Sequence, residues 1–373
     1  VSGSVRFCRA EGELAERAGA LLDATPMAGL ARLSTRRPAG LLASLRAEGR
    51  RRDVIAVRAG DEVVGVGVRG EKECFVDGRP EPATVGYLSG LRVREDHRGG
   101  LVLARGYRFL RELHRAGRAR CYLTTVLESN AEALRLLGSG RAGLPAYEDW
   151  GAIETSLFSP RRAARRLAAA SRGPRVRSAR AEDRPAAAAF LRAQGPRRQF
   201  FPAYEAGDLG SDDGLLPGLG LDDLLLAEDA AGLAGCAGVW DPSRFKTWAV
   251  AGYGFPLGAF RGAANLWAAA RGLPSWPAPG AAAGLRFLAA FCLREESPAA
   301  ARALLAASFS RAAAQGARVL AWSLHERDPL LALAASLPRV TVRSRLFLVR
   351  WPEDGTAGLP GRDRVPYLET GAL

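Results

Sequence analysis

Lysine is almost absent from this chain. Of its 53 Lys and Arg residues only Lys72 and Lys246 are lysines, so arginine carries the net charge of +14. With Ala, Gly and Leu also abundant, this is the composition that GC-rich coding produces. Histidine is scarce too. His97, His114 and His325 do not cluster with cysteine, which argues against a metal centre. The cysteines (Cys8, Cys74, Cys121, Cys236, Cys292) are odd in number, scattered and free of any C-x-x-C pair. Most sit in apolar runs, so they read as buried thiols of a reducing, cytoplasmic protein. No secretory leader and no apolar run long enough for a membrane span is read. There is no G-x-x-x-x-G-K-[ST] loop and no G-x-S-x-G elbow, and Gly218-Leu219-Gly220 lacks the third glycine of a dinucleotide fingerprint. Basic blocks interleaved with aromatics are missing, which argues against nucleic acid, although the charge suits a polyanionic ligand.

A chain of 373 residues, 48% apolar, is long enough for two ordinary domains. Its most informative stretch is 88–133. An apolar strand (88–93) runs into a basic, Gly-containing turn (94–100). A helix follows with Leu103, Gly106, Tyr107, Leu110 and Leu113 on one face, and Gly117 stops it. A second strand, 121–127, leads to Asn130 at the start of another helix. Strand, basic Gly turn and helix N-terminus together suit a diphosphate. Glycine lets the backbone approach, the first helical N–H groups face the anion, and Arg98 adds a charged donor.

This stretch resembles the acyl-CoA-binding core of the GNAT acetyltransferase superfamily. Leu91-Arg92-Val93 matches the family's first strand element, Arg98-Gly99-Gly100 the start of its turn, and Asn130-Ala131-Glu132-Ala133 its later helix start. Aligned without a gap from Val93, the family's two later glycines fall on Leu101 and Leu103. A one-residue deletion puts Gly100 on the first of them and Val102 on the second, so the turn is compressed or altered. The resemblance implies that acetyl-CoA binds along Leu91, Arg92, Val93 and Arg98, over Gly99, Gly100, Leu101, Val102, Leu103 and Ala104, with Asn130 and Ala133 beside its arm. It implies an N-acetyltransferase acting on a small-molecule or peptide amine. The alternatives are a non-catalytic CoA-binding module and, less favoured, a basic nucleic-acid-interaction protein. The family's usual base is a Glu in the strand before the turn, but no acid lies between Thr84 and Arg94. Leu137 stands where the family has its proton-donating Tyr. The replacement candidates are Glu128 at a strand end, Tyr147 and Tyr87, each of which also reads as an ordinary packed or surface residue.

The second half repeats the first in outline. Strand, helix and hairpin recur at 175–180, 182–194 and 224–239, and Ile55 to Gly65 has the spacing of Leu225 to Gly235. Strand 285–293, helix 299–315 and strand 319–325 complete the repeat. The implied fold class is α/β (α+β): two tandem GNAT-like domains, each a mixed, mostly antiparallel twisted sheet flanked by helices. The boundaries read as 1–160, an Arg-rich helix and linker 161–174, a second domain 175–352 and a tail 353–373. Where the first copy has Arg98-Gly99-Gly100, the second has Arg294-Glu295-Glu296, and paired carboxylates repel a diphosphate. The second copy therefore reads as degenerate. Two closing hairpins are expected, one within 145–158 and one within 340–351. The insertion 196–223, with Glu205, Asp208, Asp212, Asp213, Asp222 and Asp223, reads either as an acidic attractor for a cationic amine or as a disordered loop.

Overall fold

The computed structural model describes residues 5–27, 31–98, 102–140, 143–168, 173–355 and 358–373. The first copy runs β1 (Val5–Arg9), α1 (Gly12–Ala24), β2 (Ala31–Arg36), α2 (Leu41–Ser44), β3 (Arg51–Ala59), β4 (Glu62–Phe75), β5 (Ala83–Val93), α3 (Val102–Arg115), β6 (Tyr122–Leu127), α4 (Ala131–Leu137), β7 (Ala146–Phe158) and α5 (Pro160–Ala168). The second runs β8 (Arg175–Ser178), α6 (Arg184–Gln194), β9 (Phe201–Pro202), β10 (Leu224–Asp229), β11 (Gly232–Trp240), β12 (Thr247–Tyr253), α7 (Arg261–Arg271), β13 (Leu285–Leu293), α8 (Pro298–Ala314), β14 (Val319–His325), α9 (Leu331–Ala335) and β15 (Arg339–Arg350). The repeat read from the sequence is present in this order, as two mixed, mostly antiparallel half-sheets flanked by helices. Several elements were not read: β2, β12 and α7. Arg51 and Arg52 open β3.

The two halves form one sheet. Its order is β1-β3-β4-β5-β6-β15-β7-β14-β13-β11-β10-β8, with β9 attached to β4. The last strand of each copy sits against the other copy. β15 pairs with β6, and β7 pairs with β14, while β7 and β15 pair with each other. Both expected hairpins are therefore corrected: 146–158 and 339–350 are each a single long antiparallel strand. Gly151, at φ +97°, forms the one bulge in their ladder, and the chain bends there without turning back. Charge helps set this register. Arg339 pairs with Glu154 at 2.8 Å and Arg350 with Glu148 at 2.5 Å, while Arg345 pairs with Asp149. Such surface pairs add little stability, but a slipped register parts the arginines of β15 from the acids of β7.

Helices cover both faces. α3 and α4 pack with Ile55, Leu88, Tyr122 and Val126 on one face, joined by Phe347 and Val349 from β15. α1 and α2 pack on the opposite face against Val54, Ala56, Val66 and Val68. In the second copy α8 is buried along most of its length, with Leu304, Leu305 and Phe309 wholly enclosed, and β7 contributes Phe158 to that core. The insertion is ordered and packed: Leu209, Leu215, Leu216 and Leu219 are buried. Cys74, Cys121, Cys236 and Cys292 are buried free thiols and Cys8 is half-buried. No helix among the described residues is long and apolar enough to cross a membrane. Phe158 is fully buried and stacks edge-on to Phe309 at 5.2 Å. Phe158→Ala is expected to cost about 3–5 kcal/mol of stability, measured by urea denaturation. A loss below about 1 kcal/mol would show that β7 is not a core strand of the second copy.

Candidate functional site

β5 and β6 run parallel but pair at only two positions, Gly86 with Tyr122 and Tyr87 with Leu123. Beyond that point β5 continues to Val93 and β6 to Leu127 without pairing, so a wedge opens between them. Two bonds close its narrow end. The Thr124 hydroxyl donates to the Leu88 carbonyl at 2.8 Å, and the hydroxyls of Tyr87 and Thr125 share a hydrogen bond at 2.9 Å. Gly90 then takes φ +63° and the β4–β5 register shifts. Ser89 pairs with Val68 and Arg92 with Val66, which leaves Gly90 and Leu91 without partners in that ladder. Only glycine adopts this φ without strain.

One mouth of the wedge is basic. α3 starts at Val102 and has no acid in its first turn. Arg92 forms no ion pair with a carboxylate among the described residues; Arg37 and Arg98 add positive charge, and burial is the main cause that lowers its pKa. Arg98 is about half exposed, and its Nε donates to the Val93 carbonyl at 3.0 Å. Gly99, Gly100 and Leu101, the centre of the phosphate turn read from the sequence, lie outside the described residues. Asn130 caps α4: its side chain accepts from the Ala133 N–H at 3.1 Å.

Under α3 lies an apolar cavity with about 570 Å³ of atom-free space, its mouth included. Its walls are strands β3 to β5 and the helix face bearing Val102, Leu103, Gly106, Tyr107 and Leu110. Tyr147 belongs to this face. Its hydroxyl bonds that of Tyr107, and burial raises its pKa well above the tyrosine range. Glu128 stands at the end of β6 and pairs with Arg343 at 3.3 Å.

The opposite face of β5 is polar. Tyr87 is buried there, and desolvation keeps its hydroxyl protonated by raising its pKa. Ser89, two residues on, donates to Glu48 at 2.5 Å. Glu48 ends the short 3-10 turn Leu45–Glu48, which lies so close on β4 that a Cβ at Gly70 would meet the Glu48 carbonyl at 2.6 Å. Glu48 is buried, and desolvation raises its pKa; the largest opposing effect is the charge of Lys246. Lys246 comes from the second copy. Burial lowers its pKa to about 8, against the pull of Glu48, and its ammonium donates to the Leu373 carbonyl. β12, just after Lys246, pairs with β2 of the first copy and so holds this lysine over the site. Of the candidates read from the sequence, Tyr87 stands in the wedge. Glu48 and Lys246 were missed. Glu48 is a lone acid at the end of a helical stretch, and only the chain's scarcity of lysine singled out Lys246. The insertion's acids mostly meet arginine: Asp208 and Glu205 pair with Arg50, and Asp213 with Arg46.

The second copy's wedge is closed by the chain itself. β13 has the matching irregularity, with Ala290 at φ +48°. The Ala290 N–H donates to Glu369 at 2.6 Å, and Tyr204 and Tyr367 donate to the same carboxylate oxygen at 2.6 and 2.7 Å. Glu295 and Glu296 occupy the turn before α8, and Arg198 bridges Glu296 and Asp328 at 2.5 Å each. Among the described residues no group of three His, Cys, Asp or Glu is placed to hold a metal ion.

No protein-family model and no curated protein matches this sequence. Solved structures do. The Saccharomyces cerevisiae N-myristoyltransferase with bound myristoyl-CoA is similar at TM-score 0.58 and 11% identity, over 94% of this chain and 83% of that one. A tandem GNAT protein from the clavulanic acid biosynthesis pathway is similar at TM-score 0.52 and 13% identity, over 92% of this chain and 98% of that one. A GCN5-related N-acetyltransferase from Anabaena variabilis is similar at TM-score 0.50 and 9% identity, over 92% and 72%.

The Lys246 site gives a pH signature. Its folded pKa of about 8 lies below the ordinary 10.5. Between these values the unfolded chain holds a proton that the folded chain has released, so this group's contribution to stability rises with pH. The stability of the wild type relative to Lys246→Met should therefore increase from pH 8 to pH 10.5, by at most about 1.4 kcal/mol per pH unit, in paired urea titrations. A pH-independent difference would show that Lys246 titrates as an ordinary surface lysine.

Proposed function

In a chain with the tandem GNAT fold, the open wedge of the first copy is where we propose that an acyl group passes from a CoA thioester to an amine. The observation that carries this reading is the parting of β5 and β6 beside an unpaired bulge and a helix N-terminus. The residues present fit the donor. Arg92 and Arg98 offer charge to the diphosphate where α3 begins, and no acid opposes it in the first turn. The second copy does not fit: Glu369 occupies the bulge, and Glu295 and Glu296 occupy the turn. One acyl-CoA per chain follows.

The polar face of β5 supplies the proton chemistry. The backbone N–H groups of Gly90 and Leu91 polarise the thioester carbonyl. Glu48 is the base: it takes a proton from the attacking amine, with Ser89 holding its carboxylate in place. As the new C–N bond forms and the C–S bond breaks, Tyr87 donates its proton to the departing thiolate. The products are the amide and free CoA. Tyr87 suits this role because burial keeps it protonated and Thr125 orients its hydroxyl. The charge of Lys246 opposes the desolvation that raises the Glu48 pKa. The amine, a small molecule or a peptide end, enters from the side that Glu48 faces.

Calorimetry with acetyl-CoA should give one site per chain, weakened by Arg92→Glu; two equal sites would sink the assignment. Glu48→Gln should lower turnover about 10²–10⁴-fold. It should also remove the acid limb of the kcat/KM profile, a limb lying above the usual Glu range because the Glu48 pKa is raised. Unchanged turnover in this variant would exclude Glu48 as the base.

A further inference from the structure

We propose that the apolar cavity beneath α3 receives the alkyl chain of the acyl donor, so that the preferred thioester is longer than acetyl. This rests on the acyl-CoA reading of the wedge and adds the class of acyl group. The cavity is continuous with the bulge at which the thioester is assigned. Ser89 and Leu91, which flank Gly90, line it, and so do Val102 and Leu103 in the first turn of α3. Ile55, Val57, Phe7 and Leu110 also line it, and among the described residues of the wall only Ser89 and Tyr107 are polar. Its walls are otherwise apolar from the bulge to the helix, whereas an acetyl group needs only the bulge.

The space exists because glycine stands where a side chain would fill it. Gly67 on β4 lies in the wall opposite the bulge, and a Cβ built there meets no atom within 4 Å. The φ of Gly67 lies outside the left-handed range, so the backbone does not demand glycine at this position. Gly106 on α3 faces the cavity from the other side, where an added Cβ comes within 3.2 Å of Phe7. A strand glycine that neither turns the chain nor lies against another backbone leaves room, and the neighbouring side chains make that room apolar. An alkyl chain is the occupant that gains there: it has no polar group to satisfy, and each methylene leaves water for a preformed apolar wall.

The experiment is a calorimetric series with acetyl-, butanoyl-, hexanoyl-, octanoyl- and decanoyl-CoA on the full chain. Each added methylene should lower Kd about fourfold until the cavity is filled, the factor that corresponds to about 0.8 kcal/mol per buried methylene. Gly67→Leu, which places a side chain in the cavity, should collapse the ratio between octanoyl- and acetyl-CoA affinity, and Gly67→Ala should reduce it partly. A thermal melt confirms that each variant is folded. A wild-type series that is flat from acetyl to decanoyl overturns the proposal while leaving the acyl-CoA reading intact. So does a chain-length dependence that survives in folded Gly67→Leu. Absence of binding by every thioester, acetyl-CoA included, overturns both.

Discussion

The pairing of β7 with β15 is the constraint on which the rest of the molecule depends. Each strand closes the half-sheet of the copy that did not encode it, and the two are joined along nearly their whole length. Without β15 the edge of β6 is open, and Phe347 and Val349 are missing from the core under α3. Without β7 the second core loses Phe158. Neither copy closes its half-sheet by itself, and the ladder that joins them has high sequence separation, so closing it costs more chain entropy than a local pairing.

The exchange also sets the two wedges side by side in one sheet and gives them different fates. In the second copy, Glu369, Tyr367 and Tyr204 form a buried hydrogen-bonded plug on the bulge. Glu369 is buried and its pKa is raised by desolvation, with the two tyrosines and the Ala290 N–H opposing that effect. The same segment runs on to Leu373, whose carbonyl receives Lys246 near Glu48 of the first copy. What shuts one wedge thus furnishes part of the polar face of the other.

The first copy's site is composite in a second way. β2 and β12 make a two-stranded ribbon between the copies, and the insertion is clamped to the first copy by Arg46 and Arg50. Asp208, almost fully buried, accepts from Arg50 and from the Leu215 N–H, so it organises the loop. An acid held this way is spent on structure. The insertion's negative charge is therefore largely neutralised at the position where a free acidic loop would have attracted a cationic amine.

The sequence by itself determined the local elements and their repetition. β14 and β13 fall where the apolar runs placed them, α8 follows its Ser297-Pro298 start, and Asn130 caps α4. These follow from periodicity, capping chemistry and glycine, which act over a few residues. The sequence also marked Tyr87, as a candidate for the proton chemistry that the resemblance implies, and the Glu pair of the second copy, because its turn can be compared with that of the first. Tertiary structure alone decided that 146–158 and 339–350 are single strands exchanged between copies. An alternating strand looks the same whichever neighbour it finds. It alone brought Glu48, Ser89 and Lys246 together, from positions 41 and 157 residues apart. No periodic signal links residues so distant. Their proximity arises because the register of β4 with β5 lays Glu48 on Ser89, and because β12 crosses to β2 and carries Lys246 with it.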